Sequence, residues 1–233
     1  MKESEFDKFA EEYRATLEAG VAISGEGADY FSEYKIRDIA RALDAQVGDA
    51  GRPAEILDFG AGIGNSVPFV ARYFPEASIT CLDPSARSLE IAEGRFPGSA
   101  RYLRLEGDAL PFPDDHFDIA FAMCVFHHID HGEHEAVLAE LFRALRPGGS
   151  LFVFEHNPLN PLTVRIVDDC PFDENAHLIG GREMKRRVLR GGFKQATLSY
   201  RVFFPHALRG LRPLERALTW LPLGGQYYVH ARK

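Results

Sequence analysis

Apolar positions recur at two different spacings along this chain, and the changes between them divide it into three parts. Phe6, Phe9, Ala10, Tyr13 and Leu17 fall three and four residues apart, which places them on one face of a helix. Residues 1–50 read as wholly helical, with one interruption at Ser24, Gly25, Glu26 and Gly27. From Ala54 to Glu155 short β-rich runs alternate with helical stretches. Strands are expected over 55–59, 78–83, 101–106, 117–123 and 150–155, and helices over 66–73, 86–96 and 133–145. Such alternation predicts a parallel sheet covered by helices. The first strand, AEILDF, has almost no polar alternation, as a strand buried on both faces requires. Arg146, Pro147, Gly148 and Gly149 close the last of these helices with a basic turn and breakers.

After Glu155 the pattern changes again. Asn157, Pro158, Leu159, Asn160, Pro161, Leu162 and Thr163 carry too many prolines for a helix and predict a loop. A basic helix over 183–190, a strand over 197–204, a helix over 211–221 and a last strand over 226–231 follow, the two strands closing the same sheet. The expected division is a helical lid over 1–50, a core over 51–156, and a substrate cap with closing strands over 157–233.

Composition narrows the classes. With 233 residues, 45% hydrophobic and 26% charged, the chain can bury one sizeable core and is not disordered. No fixed-period repeat points to a solenoid. The longest apolar run, Ile119 to Phe126, is far short of the about 20 residues of a membrane helix. The opening MKESEFDKFAEEYR lacks the apolar block of a secretory signal, so the expected location is the cytoplasm. Cys81, Cys124 and Cys170 are odd in number and widely spaced, and read as reduced thiols. A formal charge of −7 repels a phosphate backbone, so nucleic acid is not the expected partner.

The sharpest local feature is Asp58, Phe59, Gly60, Ala61, Gly62, Ile63, Gly64, Asn65, directly between a buried strand and a helix. Glycines there permit a tight turn and close approach of a ligand to the backbone, and free amides at a helix start favour an anion. The third glycine follows the second by two residues, whereas the dinucleotide fingerprint spaces them by three. Asp83 ends the second strand, where a carboxylate can accept hydrogen bonds from both hydroxyls of a ribose. Asp108 follows the third strand and could meet the amino group of an adenine ring. The alternative reading makes the glycines only a turn and the aspartates only helix caps, with Asn65 or Ser66 capping the next helix. Against it, three acids at the carboxyl ends of three successive strands converge on one crevice.

Taken together, ILDFGAGIGNS, CLDPSARSLEIAEGRF, EGDALPFPDDHFDIAFAMCVFHHI and LFRALRPGGSLFVFE resemble, in order, the class I S-adenosylmethionine-dependent methyltransferases, in particular their small-molecule branch. The resemblance implies an α/β fold: a Rossmann-like, doubly wound, largely parallel seven-stranded sheet, its one antiparallel strand in the final hairpin, under an N-terminal helical lid. It implies S-adenosylmethionine as cofactor. Asp58, Gly60 and Gly62 would border its methionine moiety, Asp83 would bind its ribose, Asp108 with Ala109 would border its adenine, and Phe59, Ala61, Asn65 and Pro84 are assigned to the cofactor with them. Met123 and Cys124 would lie near the sulfonium.

Methyl transfer needs an aligned acceptor, exclusion of water and often a base. His127, His128 and His156 follow strand ends and are the candidate bases, an imidazole being suited to neutral pH; packing under the cofactor is the alternative for the first two. His127, His128, His131 and His134 do not hold a helical ligand spacing across Gly132, so no metal is expected. Tyr13, with Tyr30, Phe31, Tyr34 and Lys35, could form a lid whose aromatics cover a cation. Tyr13 is assigned to the cofactor, and Tyr30, Tyr34, Asn157 and Asn160 to the substrate. Arg165, Asp168, Asp169 and Asp173, with His177, could line the same entrance, although any one of them reads more readily as solvated loop charge. The expected function is methylation of a small-molecule oxygen, nitrogen or carbon acceptor by a monomer or homodimer. The rivals are a non-catalytic S-adenosylmethionine-binding protein and a nicotinamide oxidoreductase.

Overall fold

The computed structural model describes residues 25–44 and 53–233. Tyr13 and the apolar stripe around it lie outside the described residues, as does the expected boundary near residue 50. Helix α1 (Ala28–Asp44) precedes a core in which β1 (Glu55–Phe59), α2 (Val67–Tyr73), β2 (Ser78–Asp83), α3 (Ala86–Arg95), β3 (Arg101–Arg104) and β4 (Phe117–Met123) alternate. Helix α4 (His134–Ala144) leads directly into β5 (Leu145–His156). The remainder comprises α5 (Pro161–Asp168), α6 (Gly181–Arg190), β6 (Gln195–Arg201), α7 (Glu215–Leu218) and β7 (Gln226–Arg232).

The seven strands form one sheet in the order β3-β2-β1-β4-β5-β7-β6. All pairings from β3 to β5 are parallel, and β7 runs antiparallel to both β5 and β6. The sheet is therefore Rossmann-like and doubly wound, with the expected antiparallel strand in the last hairpin. Strand order reverses between β1 and β4, so helices leave the two strands on opposite faces and a crevice opens at their carboxyl ends.

Alternate residues of the buried strands fill two layers. Leu57, Phe59, Leu82, Ala120, Ala122, Leu151 and Val153 pack with α4 and α6 through Leu138, Leu141, Met184 and Val188. Ile56, Ile79, Cys81, Ile119, Phe121, Phe152 and Phe154 pack with α1, α2 and α3 through Ile36, Ile39, Val70 and Leu89. Arg201 Nη2 donates to Asp38 Oδ1 at 3.0 Å, which ties α1 to β6.

Two sequence expectations after β5 are corrected. The proline-rich segment does enter a helix, because Pro161 occupies its first turn, where no backbone donor is needed, and Asn160 caps it. Asn160 Oδ1 accepts from Leu162 N at 3.0 Å and Thr163 N at 3.1 Å. The helix expected over 211–221 is instead a 3-10 segment, His206–Leu214, followed by the four residues of α7. Pro213 withholds a donor there and limits α-helix formation.

Candidate active site

The bend after β1 is fixed by β2. Gly60 N and Ala61 N both donate to Leu82 O, at 2.8 and 3.2 Å. Gly60 has φ +76, and a Cβ on it would stand 2.5 Å from Val125 Cγ2, so only glycine lets β1 and the turn after β4 close together. Gly62 has φ +53, but a Cβ there would meet nothing within 4 Å among the described residues. Its open side faces a cleft of about 290 Å³ at the sheet's carboxyl edge.

Asp83 anchors the same bend. Its Oδ2 accepts from Gly62 N at 2.8 Å and its Oδ1 from Ser85 N at 2.9 Å. Asp58 lies beneath, accepting from the Ser66 hydroxyl. Burial pushes the Asp58 carboxyl up to about 7, although that hydroxyl opposes the shift. Ser66 is thus engaged with Asp58 and makes no side-chain cap of α2. Asn65 accepts from Arg95 Nη1 at 2.8 Å while still lining the cleft.

At the far end of β4, Cys124 sits at φ +60 and opens into the cleft. Lys35 Nζ of α1 approaches its sulfur at 3.3 Å. Gln226 of β7 holds Nε2 at 3.9 Å from the sulfur and 3.4 Å from His156 Nδ1, and its carbonyl oxygen accepts from the Tyr34 hydroxyl. Burial alone would raise the Cys124 thiol, but His156 and Lys35 bring it down to about 7. Burial works against a charged His156 as well, yet the neighbouring Cys124 raises it. The two side chains form a coupled acid–base pair.

His127 is enclosed between acids. Its Nδ1 is 2.6 Å from Glu155 Oε2 and its Nε2 is 3.3 Å from Asp173 Oδ1. Burial would lower its pKa, but these carboxylates outweigh that and raise it to about 10. A ring held as imidazolium is a poor proton acceptor near neutrality, which argues against the base role expected for His127. Glu155 also accepts from Val125 N at 3.0 Å and Phe126 N at 2.7 Å, fixing the turn after β4. His128 Nε2 is 3.3 Å from the same Asp173 oxygen, and burial lowers its pKa.

Of the residues singled out from sequence, Asp58, Gly60, Ala61, Gly62, Asn65, Asp83, Met123, Cys124, His127, His128, His156 and Asn160 come together around the cleft. Phe59 is buried beneath it. Pro84 is half-buried at the edge, its carbonyl accepting from Arg104 Nε at 3.3 Å. Asp108 and Ala109 lie exposed after β3 and do not line the cleft. Tyr34 packs on Phe154, and Tyr30 lies under Arg212, 4.5 Å from ring centroid to guanidinium. Neither lines the cleft. Asn157 is fully enclosed, donating to Gly224 O at 2.7 Å and Pro222 O at 3.2 Å, so it holds a loop in place and does not face a ligand. Gln226 escaped sequence reading altogether, and Asp173, read as solvated, is instead engaged with two histidines. Their partners are distant in sequence, so no local pattern announces them.

The cleft fits an adenosyl cofactor: a bend bare of side chain at Gly62, a strand-end carboxylate at Asp83 on its lining, and a partly apolar wall. Strand order, glycine bend and the acid ending β2 have the arrangement of the class I S-adenosylmethionine-dependent methyltransferase fold. Residues 56–149 match the family model described as a methyltransferase domain. Trans-aconitate 2-methyltransferase of Methylobacterium nodulans is 31% identical over 172 residues, 69% of this chain and 64% of that protein. A ubiquinone/menaquinone biosynthesis C-methyltransferase of Ectopseudomonas mendocina is 28% identical over 124 residues, 50% of this chain and 48% of that one. The chain thus spans about half to two thirds of these relatives. In fold it resembles an S-adenosylmethionine-dependent methyltransferase of Thermotoga maritima, with TM-score 0.67, 20% identity and 100% coverage of both chains. Phosphoethanolamine N-methyltransferase 2 of Haemonchus contortus, solved with S-adenosylmethionine, matches with TM-score 0.58 and 18% identity over 84% of this chain and 52% of that one.

Proposed function

We propose that this chain methylates a small-molecule acceptor held between the carboxyl ends of β4 and β5 and helix α1. The observation carrying this reading is one continuous cleft that joins the Gly62–Asp83 bend to the Cys124, His156 and Lys35 group. When bound, S-adenosylmethionine supplies an activated methyl group on a sulfonium. Asp83 accepts the ribose hydroxyls, and the bend through Gly60 and Gly62 gives the methionine moiety room beside Asp58. Met123 and Cys124 border the sulfonium. Phe31 and Lys35 of α1 close the cleft from above and limit water. Where the acceptor loses a proton, the Cys124–His156 pair takes it at Cys124 Sγ, whose depressed pKa suits neutral pH.

The named relatives act on trans-aconitate and in quinone biosynthesis, so carboxylate-bearing and phenolic compounds are the first acceptors to try. No helix among the described residues is long and apolar enough to cross a membrane. We place the chain in the cytoplasm, as a monomer or homodimer, with nucleic acid disfavoured by its −7 charge. Calorimetry against S-adenosylhomocysteine and NAD tests the cofactor. Binding of the first alone supports the reading, and binding of NAD alone refutes it. Production of S-adenosylhomocysteine with members of an acceptor panel then separates an enzyme from a passive binder. The open, polar acceptor end favours the enzyme.

A further inference from the structure

A second cluster lies where the segment after α5 folds against the turn after β4. His127 and His128 stand on the 3-10 turn Phe126–His128, and Asp173 ends the 3-10 turn Pro171–Asp173. One donor atom from each of the three lies within 4.8 Å of the other two, and all three line the cleft. Asp173 Oδ1 is 3.3 Å from His127 Nε2 and 3.3 Å from His128 Nε2. Donors held about 2.0–2.2 Å from one ion stand about 3.0–3.4 Å apart at octahedral or tetrahedral angles. Both contacts of Asp173 therefore have the spacing of neighbouring ligands.

The back of His127 is supported in the manner of a metal-binding histidine. Its Nδ1 is 2.6 Å from Glu155 Oε2, and the other oxygen of Glu155 is fixed by two backbone N–H groups. A carboxylate on the rear nitrogen sets the ring's orientation and raises the basicity of the nitrogen left for the ion. Sequence reading expected no metal because it sought ligands among His131 and His134, whereas the third ligand comes from another part of the chain.

We propose that His127 Nε2, His128 Nε2 and Asp173 Oδ1 bind a divalent first-row transition-metal ion of the zinc or iron(II) class at the acceptor end of the cleft. Two imidazoles and one carboxylate suit ions of that class, and three protein ligands leave positions open toward the cleft. The ion replaces the proton that His127 shares with Asp173, which passes to solvent. Water or an oxygen of a bound small molecule completes the coordination. That such an oxygen belongs to the methyl acceptor rests on the function proposed above; metal binding itself does not.

The test uses the full chain, stripped with a chelator and titrated with Co²⁺ by absorption spectroscopy and with Zn²⁺ by calorimetry. The expected result is one ion per chain, with Co²⁺ absorption bands that Zn²⁺ abolishes. Asp173→Asn and His128→Gln should each weaken Zn²⁺ binding by at least about tenfold while the variants still melt cooperatively. His131→Ala, removing an exposed ring outside the proposed set, should change nothing. Absence of saturable binding overturns the proposal, as does affinity unchanged in both ligand variants or lost in His131→Ala. S-adenosylhomocysteine titrated into the same samples keeps the two readings apart. Zn²⁺ binding without nucleoside binding removes the methyltransferase reading only, and the reverse removes the metal site only.

Discussion

Replacing Gly60 and Gly62 separately by alanine should divide packing from ligand approach at one bend. Both residues have positive φ, at +76 and +53, so a Cβ costs about 1–2 kcal/mol of backbone strain at either position. At Gly60 the new methyl would also stand 2.5 and 2.7 Å from the two Val125 methyls, an overlap that adds about 1–3 kcal/mol. Gly60→Ala should therefore lose about 2–5 kcal/mol of stability, and Gly62→Ala only the strain. At about 2–4 °C per kcal/mol for a chain of this size, Tm should fall by about 4–20 °C in the first and about 2–8 °C in the second. Ligand binding should separate them in the other sense. Among the described residues the Gly62 methyl meets no neighbouring side chain or backbone within 4 Å and enters the cleft, so S-adenosylhomocysteine should bind Gly62→Ala at least about tenfold more weakly, a loss of about 1.4 kcal/mol. Thermal melting and calorimetry on the two variants measure both quantities. A Gly62→Ala protein with the wild-type Kd would refute the claim that the ligand passes over this bend. A Gly60→Ala protein with the wild-type Tm would refute the packing argument.

Three further outcomes follow from other parts of the molecule. Cys124 should react with iodoacetamide with a midpoint near pH 7, the Lys35→Ala variant should move that midpoint upward, and S-adenosylhomocysteine should protect the thiol; a wild-type midpoint near 9 contradicts the assigned environment. Burial, aided by Arg232, lowers His230 to about 4 from 6.5. Its stabilising contribution is therefore present above pH 6.5 and lost as pH falls toward 4, roughly 3 kcal/mol in all. His230→Phe, which keeps the stack on Phe152, should flatten the denaturant-measured stability profile across that window, and parallel profiles would dispose of the assignment. Asn160→Ala removes the cap of α5 and a bond to Leu223 O, and should cost about 1–2 kcal/mol in urea unfolding; no change would mean that the cap is not needed.

What could be read in the chain was whatever depended on local pattern. The strand AEILDF, the glycine bend and Asp83 were legible because a buried parallel strand, a left-handed turn and a strand-end acid each leave a mark within a few residues. The helix after Asn160 was misread because proline looks like a breaker unless its place in the first turn is known, and that place depends on Asn160 turning its amide onto the backbone. Asn157 and Asn160 resemble substrate readers by type, yet each side-chain amide donates to a carbonyl of the loop before β7, Asn157 to Gly224 O and Asn160 to Leu223 O. Lys35, Asp173 and Gln226 acquire their meaning only when α1, the segment after α5 and β7 meet over β4. Such long-range convergence has no signature in spacing.

The central claim is that an adenosyl cofactor lies across the carboxyl ends of β1, β2 and β4. A crystal structure of the chain with S-adenosylhomocysteine tests it most directly. Ribose hydroxyls within hydrogen-bonding distance of Asp83, with the sulfur facing Cys124 and His156, are the predicted result; a nucleoside bound away from Asp83, or a cleft that stays without it at saturating concentration, would contradict the account.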